Sequence, residues 1–438
     1  MIEIVRKAVN MICGASAPPP AAETKPAVAQ VPPGEVEPAR LSQFAAFRPE
    51  VPGHTEIFLR DAAGLFEPTG DDDSHLDAAL EWLLRSQQVT GTHGFSAGYS
   101  FADGWLPPYP ETTGYTIVTL WEAFRLRKDG RFRQAAVQAA AWEHAIQMEC
   151  GAIQAGYYGI DPAGLWDGKL VPAAFNTGQV VQGWNRTFLE TKDPAYLDAS
   201  IKACRYLESC VDEEGIFRQG LSPGPTNLIR SYYTRVAHAL AWTGRLAGES
   251  SFEAAARRHL DWVLLQQRDN GWFAHAQFHS GENPLTHTMA YTAEGLLDAG
   301  LLLEENRYVD ASFKHCLQAM HTCERRGFFL PASLDENWKS TDKYVCLTGN
   351  AQFATLWLRH GDRMHDLTLI NAGLKMVDWL KGVQSLQSEN PGIKGGIAGA
   401  WPIDGGYSMF RYLNWSTKFF ADALMKARDV EDRLRSDG

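Results

Sequence analysis

Six times along the chain an amphipathic helix is followed by a long aromatic, glycine-rich loop and a second helix, in units of about 60 residues. The first helices are recognisable as LDAALEWLLRSQQ around Trp82, AAVQAAAWEHAIQ around Trp142, ASIKACRYLESCV around Tyr206, AAARRHLDWVLLQQ around Trp262, ASFKHCLQAMHTC around Leu317 and AGLKMVDWLKGVQ around Trp379. Apolar residues recur at three- and four-residue spacing in each. The second helices begin near Thr113, Thr177, Tyr233, Thr288, Thr348 and Asn414. Hydroxyl and amide residues at these starts suit N-caps, because their oxygens accept hydrogen bonds from first-turn N–H groups.

One such hairpin cannot bury its own apolar stripe, so neighbours must stack. An open stack would need polar ends, yet the first and last units are as apolar as the middle ones. Closure into a ring removes that difficulty. The sequence therefore predicts an all-α fold, an (α/α)6 toroid of six helical hairpins with an inner and an outer ring. The loops between first and second helices are far longer than ordinary helix connections. All six should emerge at one end and converge on the mouth of the central cavity.

Bulk properties narrow the function. The 438 residues carry a formal charge of −11 with no basic run, which argues against nucleic acid as a partner. Seven cysteines without a CxxC pair read as reduced packing thiols. Residues 15–50 are rich in Ala, Pro and Glu and read as a disordered linker or tethering tail, so residues 1–50 are set apart from a single catalytic domain at 51–438. The first dozen residues are too charged for a signal peptide, and no apolar stretch is long enough to span a bilayer. A cytoplasmic location is expected, with a possible N-terminal tether to a membrane or polysaccharide machinery.

The loops and second-helix starts hold the candidate chemistry. The first loop, GFSAGYSFADGWLPPYPETTGY, places Trp105, Tyr109, Glu111 and Tyr115 together. Glu111 among aromatic rings is the best general acid, since apolar walls raise a carboxyl pKa. Capping the helix by Glu111 is its bland alternative. The second unit supplies Asp167, Asn176 and Gln179, and the third Arg230 and Tyr233; arginine suits bidentate binding of an acidic substrate. The fourth unit contributes Asp269, Trp272, His287 and Tyr291. The last two stand four apart, on one helix face, and can act together as proton acceptor and donor. His275 and His279 have metal-ligand spacing only if their loop is helical, and Gly281 and Pro284 oppose that. No metal and no cofactor are expected. The last two units add Asn350, Trp401, Asp404, Tyr407, Asn414 and Lys418.

Aromatics with polar tips, mixed with amides and a few acids, form the kind of surface that binds sugar rings. Trp82, Trp142, Trp262 and Trp379 instead recur at one repeat position and read as hairpin packing. The expected partner is a glycan, with Glu111, His287, Tyr291 and Tyr115 as catalytic residues. If the protein is an inverting hydrolase, a second carboxylate should face Glu111 at ~6.5–9.5 Å, with Asp167, Asp269 and Asp404 as contenders.

Two resemblances add to this. QQRDNGWF, from Gln266 to Phe273, resembles the QW element of squalene cyclase and prenyltransferase repeats. The acidic motif of the class II cyclases is not matched, because Asp71, Asp72 and Asp73 are followed by Ser74 and precede the first repeat helix. Over the repeat region YPETTGY, FNTGQV, PLTHTMAYT, CLTGNAQ and NWSTKFF resemble an uncharacterised group of bacterial toroid proteins of exopolysaccharide gene clusters. That resemblance implies a glycan context within a fold shared by glycoside hydrolases, uronate lyases and sugar epimerases. By analogy with the lyases, Asn176 or Arg230 would neutralise a uronate while Tyr291 or His287 takes a proton. A terpenoid cyclase and a non-catalytic glycan-binding subunit are the alternatives.

Overall fold

The computed structural model describes residues 36–160, 169–221 and 228–436. Two short helices, α1 (Pro38–Phe44) and α2 (His54–Ala62), precede long helices that alternate between two rings. These are α3 (Asp72–Gln88), α4 (Pro110–Arg127), α5 (Gly130–Ala145), α6 (Ala174–Thr191), α7 (Pro194–Ser209), α8 (Thr234–Ala247), α9 (Ser250–Leu264), α10 (Thr286–Leu303), α11 (Asn306–Glu324), α12 (Leu347–Met364), α13 (Leu367–Lys381) and α14 (Asn414–Ser436). The even-numbered helices from α4 to α14 form the inner ring, each packed on the next, and α14 packs on α4 to close the circle. Glycines allow the inner helices to approach: a Cβ on Gly114 would lie 2.5 Å from the Val180 Cα, and one on Gly349 2.6 Å from the His287 backbone nitrogen.

Each inner helix from α4 to α12 packs more extensively on the outer helix after it, to which a tight turn joins it, than on the outer helix of its own repeat unit. In five turns the inner helix ends on a left-handed residue, Lys128, Lys192, Gly248, Glu304 or His365. An acid follows each. Asp129, Asp193 and Asp366 cap the next outer helix by accepting its first-turn N–H groups. The sixth pairing has no covalent turn: α14 lies directly on α3.

The capping expectation for the inner helices is overturned. None of α4, α6, α8, α10 and α12 has a side-chain cap. Their first N–H groups are instead taken by backbone carbonyls of the following loop. The nitrogens of Ala174, Ser231, Thr286, Leu347 and Asn414 donate to Gly220, His275, Ala332, Gly399 and Ala97 oxygens. The hydroxyls bind their own loops: Thr113, Thr177 and Thr417 accept from the nitrogens of Phe95, Ile153 and Ile397. Short strands extend the circle, β1 (Gly98–Ser100) pairing with β2 (Gly104–Trp105) and β5 (Arg411–Leu413), and β3 (Val345–Cys346) with β4 (Ala400–Trp401). The long loops are thus held to each other around one end of the ring.

The QW-like segment has a structural explanation. Gln267 Nε2 donates to the Gly271 and Ala311 carbonyls, bridging its loop and the next outer helix. Gln87, Gln147 and Gln384 make the equivalent bridges to Ala135, Ala199 and His75. Trp82 and Trp142 are buried beside these turns, as packing predicts. The acidic run before α3 is also structural: Asp71 caps α3, Asp72 pairs with Lys381 at 2.5 Å, and Asp73 pairs with Arg127 at 2.7 Å.

Helix α1 falls within the segment whose composition reads as a tail. It docks because Phe44 stacks on Phe58 at 4.3 Å and Arg40 forms a two-point ion pair with Asp404 at 2.6 and 2.9 Å. No helix among the described residues is long and apolar enough to cross a membrane.

Candidate active site

The inner-helix N-termini and the loops above them surround an aromatic mouth. Its wall can be followed ring by ring: Tyr157 to Tyr109 at 5.5 Å, Tyr109 to Trp415 at 6.1 Å, then Tyr407, whose hydroxyl accepts from Trp415 Nε1 at 2.9 Å. Tyr407 leads to His287 at 6.0 Å and His287 to Tyr291 at 4.3 Å. Phe175 continues from Tyr291 at 5.4 Å to Tyr232 at 5.3 Å. These residues come from loops one, two and six and from α6, α10, α14 and the turn before α8.

Glu111 sits in the first turn of α4 within this wall, and Tyr109 donates to its Oε2 at 2.7 Å. Burial pushes its carboxyl up to about 7, against the opposing pull of the Tyr109 hydroxyl and the Arg235 charge. A carboxyl with that pKa holds a proton near neutrality and can give it up. His287, in the first turn of α10, is held neutral by burial, its pKa lowered to about 4. The phenols of Tyr115 and Tyr291 are pushed well up by burial and by Glu111.

Beneath the mouth lies a network that the sequence reading missed. Arg235 of α8 donates to Gln179 Oε1 at 2.9 Å and to Glu294 Oε2 at 2.8 Å. Gln352 Nε2 donates to the same Glu294 oxygen at 3.1 Å, and Gln352 Oε1 faces His287 Nδ1 at 2.6 Å. Burial drives the Glu294 carboxyl upward while Arg235 and Lys418 oppose it. The signal was present: Glu294 follows His287 by seven residues and Tyr291 by three, on one helical face. Tyr157 and Phe175 carried no comparable pattern.

Among the described residues two polar atoms here lack partners: Gln179 Nε2 and Arg230 Nε are buried without a hydrogen bond. Such groups are rare in folded proteins and invite a ligand. Arg230 is 8% exposed, faces the Tyr232 ring at 5.8 Å and has only long contacts, 3.5 Å to the Tyr233 hydroxyl and 3.4 Å to the Phe278 carbonyl.

Other sequence candidates are placed elsewhere. Asn176 and Asn350 hold loops, donating to the Gln154 carbonyl and to the Leu330 and Cys346 carbonyls. Asn414 does the same with Ser96 and Thr112. Trp105 packs on Trp82 at 5.2 Å, Trp401 on Phe66 at 5.0 Å, and Trp272 beneath Arg268 at 5.3 Å, because each belongs to the shell that seats its loop. Asp269 is exposed in the turn after α9. Asp404 is engaged by Arg40. Lys418 pairs with Asp422 at 2.7 Å. Asp167 lies outside the described residues. His275 has a left-handed backbone and rests on Trp262, and among the described residues no group of three His, Cys, Asp or Glu is placed to hold a metal.

No family model and no curated protein sequence matches the chain. Solved structures do resemble it. An unsaturated glucuronyl hydrolase specific for heparin aligns with a TM-score of 0.62 at 15% identity, over 83% of this chain and 99% of that one. The unsaturated glucuronyl hydrolase of Bacillus sp. GL1, described as responsible for glycosaminoglycan degradation, gives 0.63 at 15%, over 81% and 96%. Cellobiose 2-epimerase from Bacillus thermoamylovorans gives 0.59 at 10%, over 84% and 99%. At these identities the likeness establishes the (α/α)6 toroid fold.

Proposed function

We propose that this protein is an enzyme that cleaves or remodels a polysaccharide or oligosaccharide by acid/base catalysis in the toroid mouth. The observation that carries this reading is Glu111, a carboxyl pushed up to about 7 inside an aromatic wall, across which stands the neutral His287. Glu111 protonates the leaving or developing oxygen, and His287 with Tyr291 takes the substrate proton. Tyr109, Tyr115, Tyr407 and Trp415 supply faces for sugar rings, and Gln179 supplies a donor to a hydroxyl. Arg230, buried and without an acidic partner among the described residues, suits a carboxylate on the substrate, which favours a uronate-containing glycan. The glucuronyl hydrolases of the same fold agree with that class of sugar.

Within this reading the lyase or epimerase form fits better than the inverting hydrolase. Asp404 is tied to Arg40 and Asp269 is exposed, so neither faces Glu111 as a second free carboxylate. Of the three contenders for that role this leaves Asp167. A terpenoid cyclase would call for a mouth lined by Phe and Trp with few polar groups, and the Arg235 to His287 network does not suit it. The resemblance to exopolysaccharide-cluster proteins supports a role in making that polymer, in the cytoplasm, with the N-terminal segment as a tether.

Product analysis on a panel of acidic and neutral glycans tests the proposal. An unsaturated, ultraviolet-absorbing product is the mark of a lyase, solvent deuterium incorporation without cleavage that of an epimerase, and new reducing ends alone that of a hydrolase. Glycan binding with none of these outcomes overturns the catalytic reading in favour of a binding subunit.

A further inference from the structure

The hydrogen bonds beneath the mouth have only one consistent direction. Arg235 can only donate, so the Glu294 oxygen it meets at 2.8 Å is an acceptor. Gln352 meets that same oxygen at 3.1 Å and must therefore present its NH₂ group there. Its carbonyl oxygen is then the atom facing His287 Nδ1 at 2.6 Å, and a carbonyl can only accept. The proton on His287 is thus on Nδ1, and the lone pair is on Nε2. That second nitrogen makes no hydrogen bond among the described residues. Its ring lies against Tyr291 and Tyr407 in the mouth wall.

We propose that Glu294 and Gln352 are positioning residues that hold His287 as its Nδ1–H tautomer, so that bare Nε2 is the base the site presents. A free histidine side chain favours the opposite tautomer, and the ring nitrogen that stays unprotonated is set by the bond its partner makes. Arg235 anchors the chain by fixing which Glu294 oxygen accepts, and the 7% exposure of both side chains keeps water from replacing them. Four inner helices, α6, α8, α10 and α12, contribute to one imidazole's orientation. The proton on Nδ1 follows from the geometry, and burial, which keeps the ring neutral, leaves Nε2 bare; its use as a base rests on the acid/base reading above.

Nitrogen NMR on the full chain with labelled histidine tests this without substrate, the His287 signals being assigned by their loss in His287→Gln. At neutral pH the expected pattern is a protonated Nδ1 and an unprotonated Nε2. In Gln352→Leu, and separately in Glu294→Leu, which removes the acceptor shared by Arg235 and Gln352, the pattern should move toward the Nε2–H form. A wild-type His287 protonated on Nε2 overturns the proposal, and so does an unchanged tautomer in both folded variants. The wild-type spectrum alone can decide if either variant fails to fold. If the tautomer is as stated but no glycan is turned over, the acid/base reading fails and the positioning inference stands.

Discussion

The two ends of the inner ring are built from the same six helices and treat charge differently. At the C-terminal end the charged groups neutralise one another: Arg359 meets Asp298 at 2.5 Å, Arg186 meets Glu122 at 2.6 Å and Glu190 at 2.9 Å, and Lys426 meets Asp362 at 2.9 Å. At the N-terminal end Arg235 and Glu294 pair at 2.8 Å, but among the described residues Glu111 is hydrogen-bonded only to a phenol, Arg230 has no acid and Gln179 holds an unused donor. A fold selected only for stability would pair both ends. The difference is what the proposed function at the mouth, with the far end holding the ring together, would leave.

That contrast can be broken by substitution. Glu111→Gln should lower turnover by about 10²–10⁴-fold, the usual worth of a general acid, while leaving the melting temperature unchanged or higher. In the wild type the acid-dependent rate should fall as pH rises through about 7, the Glu111 value. Because this folded pKa lies above the unfolded one near 4.5, the proton's contribution to stability is full below 4.5 and lost as pH rises through 7. Glu111→Gln should remove both dependences, and a rate profile that keeps its limb in the variant would sink the assignment. Arg359→Met at the far end should do the reverse, costing about 3 kcal/mol in denaturant unfolding because Asp298 is left half-buried and unpaired, with the pH profile intact.

Glu143 sharpens the comparison, since it is a buried carboxyl outside the mouth. It lies in α5 four residues before the bridging Gln147, where the other outer helices carry Leu83, Val263 and Leu380. Among the described residues neither of its oxygens has a partner, and burial pushes its pKa well up. Glu143→Leu should stabilise the fold by about 1–2 kcal/mol. It should also flatten the wild type's loss of stability as pH rises, because a raised carboxyl pKa favours the fold only while the proton stays on. The smallest effect expected is for Asp366→Ala, which removes one outer-helix cap for about 1 kcal/mol by calorimetry and should leave activity alone.

The architecture was legible because six copies of one pattern average out local noise. Repeat length, ring closure and the common side of the loops all follow from it. Individual side chains were harder. Thr113, Thr177 and Asn414 are polar at helix starts, which is also what caps look like, and only the neighbouring loop decides otherwise by donating to their oxygens or supplying a carbonyl. Asp404 looked free because its partner, Arg40, is 364 residues away in a segment whose composition suggests a tail. That Glu111, His287 and Tyr291 lie among aromatic rings was legible because aromatic surroundings and four-residue spacing are local signals. Arg235 and Glu294 were missed because their pairing joins two helices, although charges in the middle of apolar inner helices were visible and are the better guide.

The missing covalent turn between α14 and α3 makes this ring a clasp rather than a hoop. During synthesis the circle cannot be completed until α14 has emerged, so α3 must wait with one flank uncovered while the other helices assemble. In the finished molecule the Arg428 to Asp73 contact, at 2.5 Å, lies across the seam. Any large-scale breathing of the toroid should begin there, where separation strains no backbone connection. A permuted chain joined across that seam and cut at the Lys192–Asp193 turn would move the clasp without altering the mouth.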